Sequence, residues 1–178
     1  MAIYATDKLN RRGQAYDLLT HAAREVWGWD SLPRMERTPE GKPFFPGFPE
    51  HHFNLSHSET FALCALDDTP VGADIQIVKD SWREGLPKRV CSPAELEWLD
   101  AQSDRWSAFA LLWALKEARG KYHGTGLSAG VREISVPLPA DGQSVYRHEG
   151  LWFGIYEGDG WKAAVCGEHR PPEKLIWT

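Results

Sequence analysis

Between residues 8 and 29, Tyr16, Leu19, Ala23 and Val26 recur every three or four positions, which predicts an amphipathic helix with Gly28 placed to end it. Residues 33–49 lose that rhythm to repeated Pro and Gly, so they predict a loop or a set of short extended pieces. Two short apolar runs, 52–55 and 61–66, flank a polar connection at 56–60. A turn at Asp67-Asp68-Thr69-Pro70 then leads into a third run at 71–77, and all three runs predict strands. Ser92-Pro93-Ala94-Glu95 predicts a helix start, with Ser92 as N-cap, Pro93 at the first helical position and Glu95 closing a capping box. The strongest helix pattern covers residues 106–122, rich in Ala, Leu, Lys and Glu, with Gly124 and Gly126 to end it. From Val131 onward the chain predicts strands, most clearly a hairpin of 151–156 and 161–166 around Gly158-Asp159-Gly160. The tail, 168–178, carries Pro171-Pro172 and predicts irregular backbone.

Composition narrows the function classes. With 178 residues, 42% hydrophobic and 25% charged, the chain can form one generous domain or two small lobes sharing a core. A formal net charge of −5 argues against a generally basic nucleic-acid binder. The opening MAIYATDKLNRRG is too polar for a signal peptide, and no apolar run reaches the roughly 18–20 residues of a membrane span. Cys64, Cys91 and Cys166 are odd in number and far apart, with no CxxC pair, so they read as buried thiols of a cytoplasmic protein. An aromatic followed by small and apolar residues and a cysteine occurs at 61–64 and again at 161–166, an echo that fits two related halves.

Three segments carry candidate chemistry. FNLSHS (53–58) delivers hydroxyls, an imidazole and turn N–H groups together, either as a phosphate cradle or as a Ser-rich turn capping its own backbone. VGADIQ (71–76) alternates so that Asp74 and Gln76 share a face, either to present a cation ligand or as the polar face of an edge strand. WALKEARGKYHGTG (113–126) aligns Trp113, Glu117 and Lys121 at a spacing of four, with Lys116 beside them, a pattern shared with any solvated helix face.

Taken together and in this order, the segments resemble the signature of the surfactin-type (Sfp-like) 4′-phosphopantetheinyl transferases, which carry an FN-[LI]-SHS turn, a GxDxE strand and a WxxKEAxxKxxGxG helix. Gly41-Lys42-Pro43 matches the family's GKP, and Cys91-Ser92-Pro93-Ala94-Glu95 is similar to its F-S-x-x-E segment. The resemblance covers roughly residues 8–128; beyond that the chain is similar only in being β-rich.

The resemblance implies an α+β fold of two similar lobes related by a pseudo-twofold. Each lobe is a small antiparallel sheet packed on a long helix, with coenzyme A in the cleft between them. It divides the chain into an N-terminal lobe, 1–73, that binds coenzyme A phosphates and a C-terminal lobe, 74–178, with the metal site. It implies that Lys42, Ser56 and His57 hold those phosphates, Ser56 and His57 meeting the 3′-phosphate, with Arg12 or its neighbour Arg11 adding a contact. Lys116 contacts a phosphate or faces solvent. Asp74 and Glu117 bind Mg²⁺, or Mn²⁺ in its place, with Gln76 ligating directly or through water where the family usually has Glu. Glu117, or a water it orients, is the base for the carrier serine, and Lys121 neutralises the phosphates and the departing 3′,5′-ADP. The implied partner is an apo acyl or peptidyl carrier protein, met by a monomer; the basic cluster Lys79, Arg83, Lys88 and Arg89, near Trp82 in a polar loop, is either its docking surface or a solvated loop. Gln76 also leaves room for a non-catalytic coenzyme A or carrier-binding module of the same fold.

Overall fold

A computed structural model describes residues 1–83, 85–126 and 130–178. The chain opens with a strand that helix and strand periodicity did not suggest, β1 (Ala2–Thr6), in which Ile3, Tyr4 and Ala5 are all buried. The helix expected from residue 8 begins later, as α1 (Ala15–Trp27), because residues 8–14 form its approach: the Gln14 side chain accepts from the Asn10 and Arg11 N–H groups. Leu18, Leu19, Ala22 and Ala23 form its buried stripe, and Gly28 ends it in the left-handed region, as expected. A ribbon of β2 (Glu36–Arg37) and β3 (Pro43–Phe44) supplies the short extended pieces. Strand β4 (His52–Ser58) runs through the polar connection expected at 56–60, so that the turn to β5 (Phe61–Asp67) holds only Glu59 and Thr60. Strand β6 (Val71–Ile77) follows within the bounds expected.

A short α2 (Leu86–Val90) precedes α3 (Pro93–Asp100), which starts with the expected capping box: Glu95 N–H donates to Ser92 Oγ, and Ser92 N–H to the Glu95 carboxylate. The long α4 (Arg105–His123) ends at Gly124. Residues 131–144, expected as strand, instead hold a 3₁₀ turn at Val131–Glu133, and pairing starts only at β7 (Val145–His148). The hairpin of β8 (Leu151–Gly158) and β9 (Trp161–Gly167) matches the sequence reading. The tail is not wholly irregular: β10 (Ile176–Trp177) returns to pair in parallel with β1.

Two four-stranded sheets result, ordered β10-β1-β5-β4 and β6-β9-β8-β7, antiparallel throughout except for the β1–β10 pair. Alternation along the central strands shows how they stack. Ala62, Cys64 and Leu66 of β5 pack on α1, while Leu63 and Ala65 face the second sheet. In β9, Ala163 and Val165 face the first sheet, while Ala164 and Cys166 pack with α4 residues such as Leu112 and Leu115. The order is therefore helix, sheet, sheet, helix, the α+β architecture of two lobes that the motifs implied. The aromatic echo has a structural basis, since Phe61 and Trp161 open the equivalent strands β5 and β9 and their rings meet at 5.9 Å. The lobe division expected after residue 73 falls inside β6, and the chain passes between the sheets at the turn before Val71. No described helix is long and apolar enough to cross a membrane.

Candidate active site

The site begins with a missing side chain. A Cβ on Gly72 would lie 1.9 Å from the Ala118 carbonyl oxygen, so only glycine lets β6 press this closely on α4. That approach brings Asp74, two residues along the strand, over the face of α4 that carries Glu117 and Lys121. Asp74 is 2% exposed and fully engaged. Its Oδ1 accepts from Lys121 Nζ at 2.6 Å and from Ser56 Oγ at 2.7 Å, and its Oδ2 from Gln76 Nε2 at 2.6 Å. Lys121 Nζ also donates to the Ala73 carbonyl at 3.1 Å.

Glu117 is half-buried beside this cluster. Burial raises its carboxyl above the ordinary range, the Asp74 charge raises it further, and Lys121 opposes both. Across the cleft, Lys42 reaches from the β2–β3 ribbon to donate to the carbonyls of Val71 at 3.2 Å and Tyr122 at 3.1 Å. Burial lowers this ammonium to about 8. A cleft of about 220 Å³ lies between Lys42 and Lys121, with Asn54, Leu55, Gly124 and Gly126 in its walls. Two cations and Glu40 line one small space, and Asp74 and Glu117 lie beside Lys121. Such a donor set suits an anion with a divalent cation beside it.

The family model of the 4′-phosphopantetheinyl transferase superfamily matches residues 70–166, the stretch from the start of β6 through nearly all of β9. The chain belongs to this superfamily. It is 35% identical over 160 residues to a 4′-phosphopantetheinyl transferase of Bacillus subtilis, covering 85% of this chain and 71% of that protein. It is 38% identical over 143 residues to 4′-phosphopantetheinyl transferase Sfp of Bacillus subtilis strain 168, covering 76% and 63% respectively. Over 111 residues it is 39% identical to the L-aminoadipate-semialdehyde dehydrogenase-phosphopantetheinyl transferase of Eremothecium gossypii, covering 57% of this chain and 40% of that one. The enzyme class expected from the motifs therefore holds: this is an enzyme of the phosphopantetheinyl transferase type.

Within this transferase the residues singled out from sequence part into two groups. Asp74, Gln76, Glu117 and Lys121 come together, and Lys42 faces Lys121 across the cleft. Ser56 joins the Asp74 cluster rather than standing beside His57, because neighbours on a strand point to opposite faces. His57 is exposed, on the face shared with the cleft-lining Leu55, and has no hydrogen bond or ion pair among the described residues. The side chain of Arg12 lies outside the described residues.

Lys116 requires a correction. Its ammonium is buried, paired with Glu95 at 2.9 Å and bonded to the carbonyls of Val131 at 3.2 Å and Ile134 at 2.7 Å, so it neither contacts a phosphate nor faces solvent. The helical turn carries it a hundred degrees from Glu117, toward α3. Trp82 is also no outlier, since it packs against Phe109 at 5.2 Å and Trp113 at 6.1 Å under Lys79. Lys79, Arg83, Lys88 and Arg89 are exposed.

Sequence reasoning missed Asn54, whose Oδ1 accepts from the Ala73 N–H at 3.0 Å and which lines the cleft. The signal was the alternation of Asn54, Ser56 and Ser58 in a strand. A separate acidic group, Asp67, Asp68 and His169, sits at the β5–β6 turn, where the Met1 ammonium and His169 each approach Asp67 Oδ1 to 3.1 Å.

Proposed function

We propose that this chain transfers the 4′-phosphopantetheine group of coenzyme A to a serine of an apo acyl or peptidyl carrier protein and releases 3′,5′-ADP. The observation that carries the reading is the convergence of Asp74 and Glu117 on Lys121, which lines one cleft together with Lys42. The residues fit a divalent cation. The Asp74 charge raises the cost of ionising Glu117, and Lys121 is the one ammonium bonded to Asp74 among the described residues. Asp74, Glu117 and, directly or through water, Gln76 would hold Mg²⁺, with Mn²⁺ able to replace it. When bound, the cation supplies charge neutralisation at the pyrophosphate.

The chain's own groups do the rest. Lys42 and Lys121 exchange backbone carbonyls for phosphate oxygens, and Lys121 stays with the leaving phosphate as its charge grows. Glu117, or a water it holds, accepts the proton of the carrier serine, and its raised carboxyl brings it nearer the working range of a general base. His57 meets the 3′-phosphate from the exposed face of β4. Exposed Lys79, Arg83, Lys88 and Arg89 receive an acidic carrier surface. The enzyme works as a monomer, because one chain supplies both walls of the cleft, and in the cytoplasm, where its three buried, free thiols stay reduced. The non-catalytic reading rests on Gln76 alone. Mass spectrometry of an apo carrier protein, incubated with this chain, coenzyme A and Mg²⁺, is expected to show the added phosphopantetheine mass. Absence of a mass gain across fatty-acid, polyketide and peptide carriers would favour the binding module.

A further inference from the structure

Strand β6 pairs with β9 along one edge and, among the described residues, has no backbone partner on the other. The bare edge is satisfied by side chains. Asn54 Oδ1 accepts from the Ala73 N–H at 3.0 Å, Ser56 Oγ from the Ile75 N–H at 3.3 Å and Ser58 Oγ from the Ile77 N–H at 3.3 Å. The carbonyls of Val71 and Ala73 on the same edge take Lys42 and Lys121. Alternate residues of β4 thus stitch the two sheets together without a backbone ladder, which explains an Asn and two Ser at a spacing of two along this strand.

Ser56 differs from the other two because it also touches Asp74. A hydroxyl carries one proton. The Ile75 N–H can only donate and the Asp74 carboxylate can only accept, so the Ser56 proton is committed to Asp74 Oδ1 at 2.7 Å. No donor remains for a phosphate oxygen. Asp74 has two other partners, and both are freer to leave: Gln76 is half-buried, and Lys121 faces the cleft. Ser56 is 7% exposed and held from both sides.

We infer that Ser56 is a positioning residue that fixes the rotation of the Asp74 carboxylate against the edge of β6, and is not a ligand of coenzyme A. The inference rests on the reading of Asp74 as a cation ligand. It is tested by Mn²⁺ binding, followed by electron paramagnetic resonance on protein saturated with coenzyme A and without carrier, so that no turnover occurs. Ser56→Ala is expected to weaken Mn²⁺ binding about tenfold, the scale of losing a partner that orients a metal ligand. Ser58→Ala removes an equivalent stitch that does not touch Asp74, and is expected to stay near the parent. Ser56→Cys keeps the shape with a weaker donor; it is expected to fall between parent and Ser56→Ala, and it replaces Ser56→Ala should that variant not fold. The affinity ratio of coenzyme A to 3′-dephospho-coenzyme A, measured without metal, is expected to be unchanged in Ser56→Ala. Parent-like Mn²⁺ affinity in Ser56→Ala, or a reduced ratio, overturns the inference. Failure of the parent itself to bind Mn²⁺ overturns the reading of Asp74 beneath it.

Discussion

At the residue scale, the site sets opposing charges in a confined space, and two groups report on it through pH. The Glu117 carboxyl is raised by burial and by Asp74. The fold therefore favours its protonated form: that contribution is full below the ordinary glutamate range and is lost as pH rises through the raised value. At neutral pH without metal, the ionised Glu117 costs stability. Glu117→Gln is expected to raise the melting temperature of the metal-free protein while abolishing transfer, and a lowered melting temperature would show that Glu117 is stabilised by its neighbours instead. Lys42 shifts the other way, its ammonium lowered to about 8 by burial. Coenzyme A binding, measured by calorimetry, is expected to weaken as pH rises past that value and the positive charge is lost. Lys42→Arg, whose charge persists, is expected to flatten the profile. An equally steep loss in Lys42→Arg would assign the titration to another group.

At the scale of elements, the contact between β6 and α4 decides whether the site exists. Gly72→Ala places a methyl against the Ala118 carbonyl and the Tyr122 N–H, backbone atoms that cannot swing aside. An overpacking loss of about 1–3 kcal/mol is expected in chemical denaturation, together with loss of transfer in the folded fraction. Unchanged stability would mean that α4 shifts freely. The same helix shows what local pattern reading can and cannot deliver. Its bounds, its glycine end and the capping box of α3 follow from nearest neighbours, and the structure keeps them. Helical spacing also put Lys116 beside the Glu117 stripe. Its pairing with Glu95 depends on where α3 packs, a tertiary fact with no local trace.

At the scale of the whole molecule, the sheets were legible where strands form hairpins and hidden where pairing is remote. Strand β1 is a five-residue, mostly apolar segment whose partner β5 lies some sixty residues away, and two-residue β10 pairs with β1 from the far end of the chain. Buried on both faces, β5 shows no alternation to read. In the candidate site, Asp74, Glu117 and Lys121 were legible because the ordered motifs carried them. The role of Ser56 was not, because a strand shows its hydrogen-bond partner only once the second sheet is in place. The proposed cation site at the β6–α4 contact rests on two carboxylates, Asp74 and Glu117, with Gln76 as a replaceable third ligand. It is tested most directly by titrating Mg²⁺ against transfer rate for the parent, Asp74→Ala, Gln76→Ala and Gln76→Glu. No transfer is expected from Asp74→Ala, a modest loss from Gln76→Ala, and half-maximal rate at lower Mg²⁺ from Gln76→Glu, which restores negative charge beside the ion. Gln76→Ala as inactive as Asp74→Ala would contradict it.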